Sequence, residues 1–325
     1  MGIPQPPPLL CTERAASPSY ERFPVSLIVP APNMKFDLTM ADGAVIRMRR
    51  HGNPGGPRLV LCHGNGFAID AYLPFWSLLT DRFDIVLYDQ RNHGQNPRHR
   101  VEAHDVPNFV SDMEAIFHAL RSRLGVAPTI GVFHSISGVT SIWHALQYGK
   151  RWDALVLFDP ALIPGPGLPE HEVARTFELM LARWSKSRPN RFSEPAELAA
   201  HFAKSYSLRR WVPGAHELMA RSILRQDPAT LVWSLCCPPA GESRVYKTNS
   251  DLHLTHRFNE LPLPVKLICA DPDQADAQAP SKVGRSLHAL YGCPYEAIAD
   301  TSHLLLIEKP AECARALLAF LDGLV

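Results

Sequence analysis

Several features that would assign a class at once are missing from this chain. It has no Cys-x-x-Cys pair, and its seven cysteines (11, 62, 236, 237, 269, 293 and 313) are odd in number and scattered. Zinc fingers and dithiol redox motifs are therefore not expected. Cys62 and Cys269 lie inside apolar runs, where a reduced thiol packs as a small hydrophobe. No run of 18 apolar residues exists, so no membrane-spanning helix is expected. The opening MGIPQPPPLL lacks the basic start and long apolar centre of a secretory leader, which leaves a cytoplasmic location as the expectation. Neither sign of charge dominates: 33 Lys and Arg stand against 32 Asp and Glu, for a net charge of +1. Without a basic block, nucleic acid is not an expected partner. The phosphate-cradling patterns GxGxxG and GxxxxGK[ST] are both absent. No cofactor and no metal are expected, and these patterns leave the oligomeric state open.

What is present is enough for a large globular unit. A chain of 325 residues with 46% hydrophobic and 20% charged residues can bury about three-quarters of its unfolded surface. That excludes disorder of the whole chain. Its 30 prolines are unevenly spread, with eight in residues 1–33 and ten in 160–240. Proline is kept out of helix interiors and central strands. The first concentration therefore predicts an extended arm, and the second predicts short helices joined by turns.

Between these regions, short apolar runs alternate with amphipathic stretches. Asp42-Gly43 signals a hairpin between 35–40 and 44–49. Buried strands are predicted at 57–62, 83–88, 129–133, 154–158, 264–270 and 295–299, and helices at 69–79, 110–124, 138–148, 281–290 and 311–324. Strands alternating with helices predict an α/β fold with a mostly parallel sheet and helices on both faces. The alternation stops at Pro160 and resumes at Pro264. The expected organisation is an arm over 1–33, a core over 34–162 and 248–325, and an inserted helical cap over 163–247.

Parallel sheets place chemistry at the carboxyl ends of their strands. Here those ends carry His63-Gly64-Asn65-Gly66, Asp89-Gln90-Arg91, His134-Ser135-Ile136-Ser137-Gly138, Asp159, Asp271-Pro272-Asp273 and Ser302-His303. A serine, carboxylates and a histidine thus follow one another on separate strand ends, as a nucleophilic triad would require.

On these motifs the chain resembles the α/β-hydrolase superfamily, in element order over nearly all of 35–325. The family's strand–turn–helix elbow, Gly-x-Ser-x-Gly, is matched by Phe133-His134-Ser135-Ile136-Ser137, with Phe133 and Ser137 in place of the two glycines and Gly138 one position further on. The resemblance makes Ser135 the nucleophile, with Ser137 as runner-up, and makes His303, followed by Glu308-x-Pro310, the base. It places the acid beyond the strand 264–270 and selects Asp273, with Asp271, Asp276 and Asp159 as alternatives. It implies an oxyanion hole from the backbone N–H groups of Asn65 and Ile136. His-Gly-Asn also occurs in the superfamily's haloalkane dehalogenases, but these use an aspartate nucleophile, and Ser135 argues against that chemistry. Asp89-Gln90-Arg91-Asn92-His93-Gly94 resembles a family turn and is expected to be scaffolding.

The expected activity is a serine hydrolase of esterase or lipase type, cleaving carboxylic esters through an acyl-enzyme. Alternatives are carbon–carbon bond, lactone or lyase chemistry on the same triad, and a ligand-binding protein on the same scaffold. The expected partner is a small, partly apolar ester. Phe177, Met180, Trp184, Phe192 and Phe202 in the first half of the cap could line its cavity, as could Tyr206, Trp211, Met219 and Trp233 in the second. Arg209, Arg210 and Arg244 are candidates to meet a carboxylate.

Overall fold

A computed structural model of the chain describes residues 27–324, so most of the expected arm, residues 1–26, lies outside the described residues. The strands are β1 (Met34–Thr39), β2 (Val45–Gly52), β3 (Arg58–Cys62), β4 (Asp84–Tyr88), β5 (Thr129–His134), β6 (Ala154–Phe158), β7 (Arg191–Phe192), β8 (Leu224–Gln226), β9 (Trp233–Leu235), β10 (Val265–Ala270) and β11 (Tyr295–Ile298). The helices are α1 (Leu73–Trp76), α2 (Val106–Leu124), α3 (Ile136–Tyr148), α4 (His171–Ser187), α5 (Pro195–Lys204), α6 (Ala215–Ile223), α7 (Pro239–Asn249), α8 (Ala279–Tyr291), α9 (Leu305–Glu308) and α10 (Pro310–Asp322).

Eight strands form one sheet in the order β1-β2-β4-β3-β5-β6-β10-β11. The pairs from β4 through β11 are parallel, and the β1–β2 hairpin joins antiparallel at one edge. Every residue of β3, β4 and β6 is buried, which explains why these strands appear in the sequence as continuous rather than alternating apolar runs. Their side chains divide by parity. Leu59, Leu61, Val156 and Phe158 join one core with α6, α9 and α10, while Val60, Cys62, Leu155 and Leu157 join the other with α2, α3 and α8. The expected fold class is thus observed: helices cover both faces.

Local signals set most boundaries. Asp105 caps α2 by accepting from the Asn108 N–H, with Pro107 in the first turn, so the helix begins four residues before the predicted 110. Gly43 takes φ +89° in the hairpin turn. The predicted helix over 69–79 is instead α1 flanked by 3-10 turns. Between β6 and β10 the chain forms α4, α5, α6 and α7 together with a three-stranded antiparallel sheet, β7-β9-β8, which an all-helical expectation missed. Strands of two or three residues carry too little periodicity to detect. No helix among the described residues is long and apolar enough to cross a membrane, and the six described cysteines are buried free thiols.

The position of the site follows from the strand order. After β3 the chain places β4 on one side and β5 on the other, so the loops leaving β3 and β5 diverge and open a crevice at the carboxyl ends.

Candidate active site

Ser135 sits at the tip of the turn between β5 and α3, at φ 56° and ψ −119°. Non-glycine residues rarely hold such a backbone, and it persists where surrounding contacts over-determine it. Three of those contacts explain the local sequence. A Cβ on Gly64 would stand 2.8 Å from His134 Nδ1 and 3.1 Å from Ser135 Cβ, so the His-Gly turn after β3 can lie against the elbow only as glycine. A Cβ on Gly138 would stand 3.0 Å from Pro160 Cβ, so that glycine lets α3 approach the β6 loop. Ser137 Oγ accepts from the His134 N–H at 2.9 Å and lies 3.1 Å from the Cys62 carbonyl and 2.8 Å from that of His134, so it braces the turn from inside. Phe133, where the family pattern has glycine, is fully buried in the core beneath.

His303 Nε2 lies 2.9 Å from Ser135 Oγ, and its Nδ1 lies 2.7 Å from Asp159 Oδ2. A carboxylate only accepts, so Nδ1 carries the proton and Nε2 is free to take one from the serine hydroxyl. Asp159 is completely buried, and its Oδ1 accepts from the Ala270 N–H at 3.2 Å. Residues 134 and 158 are register partners in β5 and β6, so Ser135 and Asp159 leave neighbouring strand ends side by side.

This corrects the expectation for the acid. Asp273 does not reach His303: its side chain is 78% exposed and pairs with Arg285 at 2.6 Å on the flank of α8. Asp271 explains why. Its carboxylate accepts from the Asp273 and Asp300 N–H groups at 3.0 Å each, closing the turn after β10 and directing Asp273 outward. Asp276 pairs with Arg210 at 3.3 Å. The sequence offered Asp159 only as an alternative, because choosing between two strand ends requires the direction of the loops.

The loop bearing His303 is held from two sides. Glu308 accepts from the Ser302 N–H at 2.8 Å and from its hydroxyl, which gives the Glu-x-Pro motif a positioning task. His134 Nε2–H donates to the His303 carbonyl at 2.8 Å, while its Nδ1 meets the Tyr72 hydroxyl at 2.8 Å and Tyr72 accepts from the Gly64 N–H at 3.2 Å. Burial keeps His134 neutral, well below the usual histidine range. Elbow, His-Gly turn and His303 loop are thereby tied together.

The Asn65 and Ile136 amides are not engaged by a protein acceptor among the described residues. Asn65 is buried, its side-chain Nδ2 donates to the Glu242 carbonyl at 3.0 Å, and its Oδ1 has no partner among the described residues. Next to this turn, Asp89 accepts from the Ile69 and Gln95 N–H groups and pairs with buried Arg49 at 2.9 Å. Burial works to raise the Asp89 carboxyl, but Arg49, His63 and the Ile69 and Gln95 N–H groups together hold it below the carboxylate range. A Cβ on Gly94 would fall 2.3 Å from that carboxylate, which accounts for the glycine of the Asp89–Gly94 turn.

One buried set has metal-ligand chemistry: His93, His104 and Cys237 offer donor atoms within 4.8 Å of one another. Those donors are already engaged. His93 Nε2 accepts from the Gly66 N–H at 3.0 Å, and His104 Nε2 lies 3.5 Å from the Cys237 thiol, which burial keeps protonated.

A cavity of about 530 Å³ opens on Ser135 and His303. Phe177, Met180, Trp184, Phe192 and Phe202 line it as the sequence suggested. Trp211 and Met219 pack in the core instead, and Tyr206 is exposed. The three arginines singled out are elsewhere: Arg209 lies over the Tyr206 ring, Arg210 pairs with Asp276 and Arg244 with Asp105. The charged groups in the cavity wall are Glu178, Arg188 and Glu242, which no motif marks.

Residues 59–316 match the family model described as "Alpha/beta hydrolase family". Among curated proteins, a RutD of Caulobacter sp. (strain K31), named for carbamate hydrolysis, is 29% identical over 134 residues, 41% of this chain and 47% of that protein. Monoglyceride lipase of Rattus norvegicus is 25% identical over 150 residues, 45% of this chain and 48% of that protein. The chain thus matches less than half the length of these relatives. Among solved structures, E-2-(acetamidomethylene)succinate hydrolase superposes with a TM-score of 0.71 at 18% identity, covering 89% of this chain and 100% of that one. The thioesterase domain from the curacin biosynthetic pathway gives 0.68 at 16%, covering 88% and 99%. These two show the fold.

Proposed function

From the premise that this chain belongs to the alpha/beta hydrolase family, we propose that it is a serine hydrolase acting on carboxylic esters, with Ser135, His303 and Asp159 as its triad. The observation that carries the reading is the continuous relay from Ser135 Oγ through the His303 ring to Asp159, at 2.9 and 2.7 Å. Ser135 Oγ attacks the ester carbonyl carbon as its proton passes to His303 Nε2. Asp159 holds the ring in the required tautomer and stabilises the imidazolium. The negative charge on the carbonyl oxygen is met by the Asn65 and Ile136 N–H groups, each such donor contributing about 10²–10³ in rate. Collapse breaks the carbon–oxygen bond, and the alcohol leaves with the proton from His303. Water then attacks the acyl-enzyme by the same route, His303 taking its proton, and regenerates Ser135. The segment over 163–247 acts as a cap whose aromatic wall receives an apolar part of the substrate.

The test is labelling by a fluorophosphonate probe together with turnover of a panel of p-nitrophenyl esters. Ser135→Ala should abolish labelling and lower kcat by about 10⁴–10⁶-fold. Near-normal ester turnover by that variant would overturn the assignment. Labelling of Ser135 with no ester cleaved would move the same triad to a lactone or carbon–carbon bond.

A further inference from the structure

The turn that carries Asn65 is held from two sides, and only one of them is the core. On the core side, the Gly64 N–H donates to the Tyr72 hydroxyl at 3.2 Å and the Gly66 N–H to His93 Nε2 at 3.0 Å. Asn65 lies between them, and its side chain is fixed from the other side by α7. Asn65 Nδ2 donates at 3.0 Å to the carbonyl of Glu242, in the first turn of that helix. The amide group is thereby engaged as a tether, and the Asn65 main-chain N–H has no protein acceptor among the described residues. The Glu242 side chain meets the same turn. A Cβ on Gly66, which holds φ +78°, would stand 2.7 Å from Glu242 Oε1, 2.9 Å from Cδ and 3.3 Å from Oε2. The carboxyl group therefore fills the open face that this glycine leaves.

Glu242 is itself fixed in place. Its side chain is 2% exposed, and Arg188 Nη1, from the residue ending α4, lies 3.2 Å from Oε1 and 3.1 Å from Oε2. A buried pair of this kind is a weak source of net stability, but a guanidinium holds a carboxyl in one orientation. The helix is seated as firmly. A Cβ on Gly241 would stand 3.0 Å from His104 Cδ2, and Ser243 Oγ donates to the Ala182 carbonyl of α4 at 2.7 Å. Contacts thus run without a break from Arg188 through Glu242 to the Asn65–Gly66 turn, which lies against the serine elbow at Gly64.

Resting on the ester-hydrolase reading, we propose that Glu242 is a positioning residue for that reaction: held by Arg188, it keeps the Asn65–Gly66 turn in the register where the Asn65 N–H meets the oxyanion. Helices α4 and α7 then set the rate of the chemical step as well as receiving substrate. A turn displaced by approaching 1 Å costs about 10²-fold in rate. The Asn65 N–H meets charge that develops in the transition state, so the loss falls on kcat rather than on KM.

The experiment measures kcat and KM for p-nitrophenyl butyrate in the full-length protein and three variants. Glu242→Ala empties the space against Gly66 and should lower kcat by about 10–100-fold, with KM within about threefold of the parent. Glu242→Gln keeps the shape and an acceptor for Arg188, and its kcat should stay within about threefold of the parent. Arg244→Ala breaks a different contact of α7, the pair with Asp105 at 3.0 Å, without touching the turn, and should leave both constants unchanged. An unchanged kcat in Glu242→Ala, with or without a rise in KM, overturns the proposal. An equal loss of kcat in Glu242→Gln or in Arg244→Ala does the same. If Glu242→Ala does not fold, Asn65→Ala replaces it with the same expectation, since it keeps the main-chain N–H and loses only the tether. Hydrogen exchange in a Ser135→Ala background separates this inference from the hydrolytic one. There Glu242→Ala should speed exchange in peptides covering 63–67 by about fivefold or more, while β3 and β5 keep their protection. Faster exchange confined to the turn upholds the positioning role even if no ester is cleaved, and unchanged exchange overturns it even if esters are cleaved.

Discussion

Asp159 Oδ2 stands 2.7 Å from His303 Nδ1, at the end of β6 rather than β10. The carboxylate is fully buried, so its bond to the ring is not shared with water. Asp159→Asn preserves the volume but offers an amide where the ring needs an acceptor. It should lower kcat by about 10³–10⁴-fold with little change in KM. Asp273→Asn breaks only an exposed pair with Arg285, and should leave kcat intact and stability within about 1 kcal/mol. Steady-state kinetics on the two variants distinguishes the strand ends: equal losses, or a larger loss at Asp273, would reject Asp159 as the acid.

Ser137 should behave as a structural residue. Its hydroxyl links the His134 N–H to the Cys62 and His134 carbonyls in a fully buried position. Ser137→Ala removes the acceptor of the buried His134 N–H and should cost about 1–3 kcal/mol. Chemical denaturation should record that loss, while fluorophosphonate labelling of Ser135 continues. Loss of labelling in a folded Ser137→Ala protein would reopen the choice of nucleophile.

Gly64 limits how closely the His-Gly turn can lie against the elbow. The added methyl of Gly64→Ala would sit 2.8 Å from His134 Nδ1 and 3.1 Å from Ser135 Cβ, so one of the two turns must move. A displacement approaching 1 Å at the reacting atoms costs about 10²-fold in rate. We expect kcat to fall by that order, and the measurement is kcat alongside the melting temperature. A variant that retains full kcat would mean the turns can separate without disturbing the serine.

Glu178 makes a prediction about pH and stability. Burial raises its carboxyl to about 8 in the folded chain, against about 4.3 when unfolded. Between those values the native state holds a proton that the unfolded state has lost. Stability therefore falls as pH rises through this window and levels off above it, at most about 1.4 kcal/mol per pH unit. Glu178→Gln removes the titration. The melting temperature of the variant relative to the parent should climb from pH 5 to pH 8. A difference independent of pH would show that Glu178 is already ionised in the native protein.

The residues of the chain determine much of this on their own. Continuous apolar runs at 57–62, 83–88 and 154–158 require strands buried on both faces, and amphipathic stretches between them require helices that cover those faces. The α/β class follows from that alternation. Ser135 and His303 are also legible locally, because an elbow needs small residues packed around a strained serine, and because His303 is followed by the Glu308-x-Pro310 brace that its loop uses.

Which carboxylate meets His303, and what the cavity wall is made of, were decided only in three dimensions. Asp159 and Asp273 both follow strands, and nothing near either in the chain says which loop turns toward His303. The choice depends on the side-by-side exit of β5 and β6 and on the Asp271 turn that sends Asp273 outward. Glu178, Arg188, Glu242 and Tyr246 are ordinary charged and aromatic residues on two helices about sixty residues apart. Only the packing of α4 on α7 sets them into one cavity wall, in the cavity that Ser135 and His303 also line.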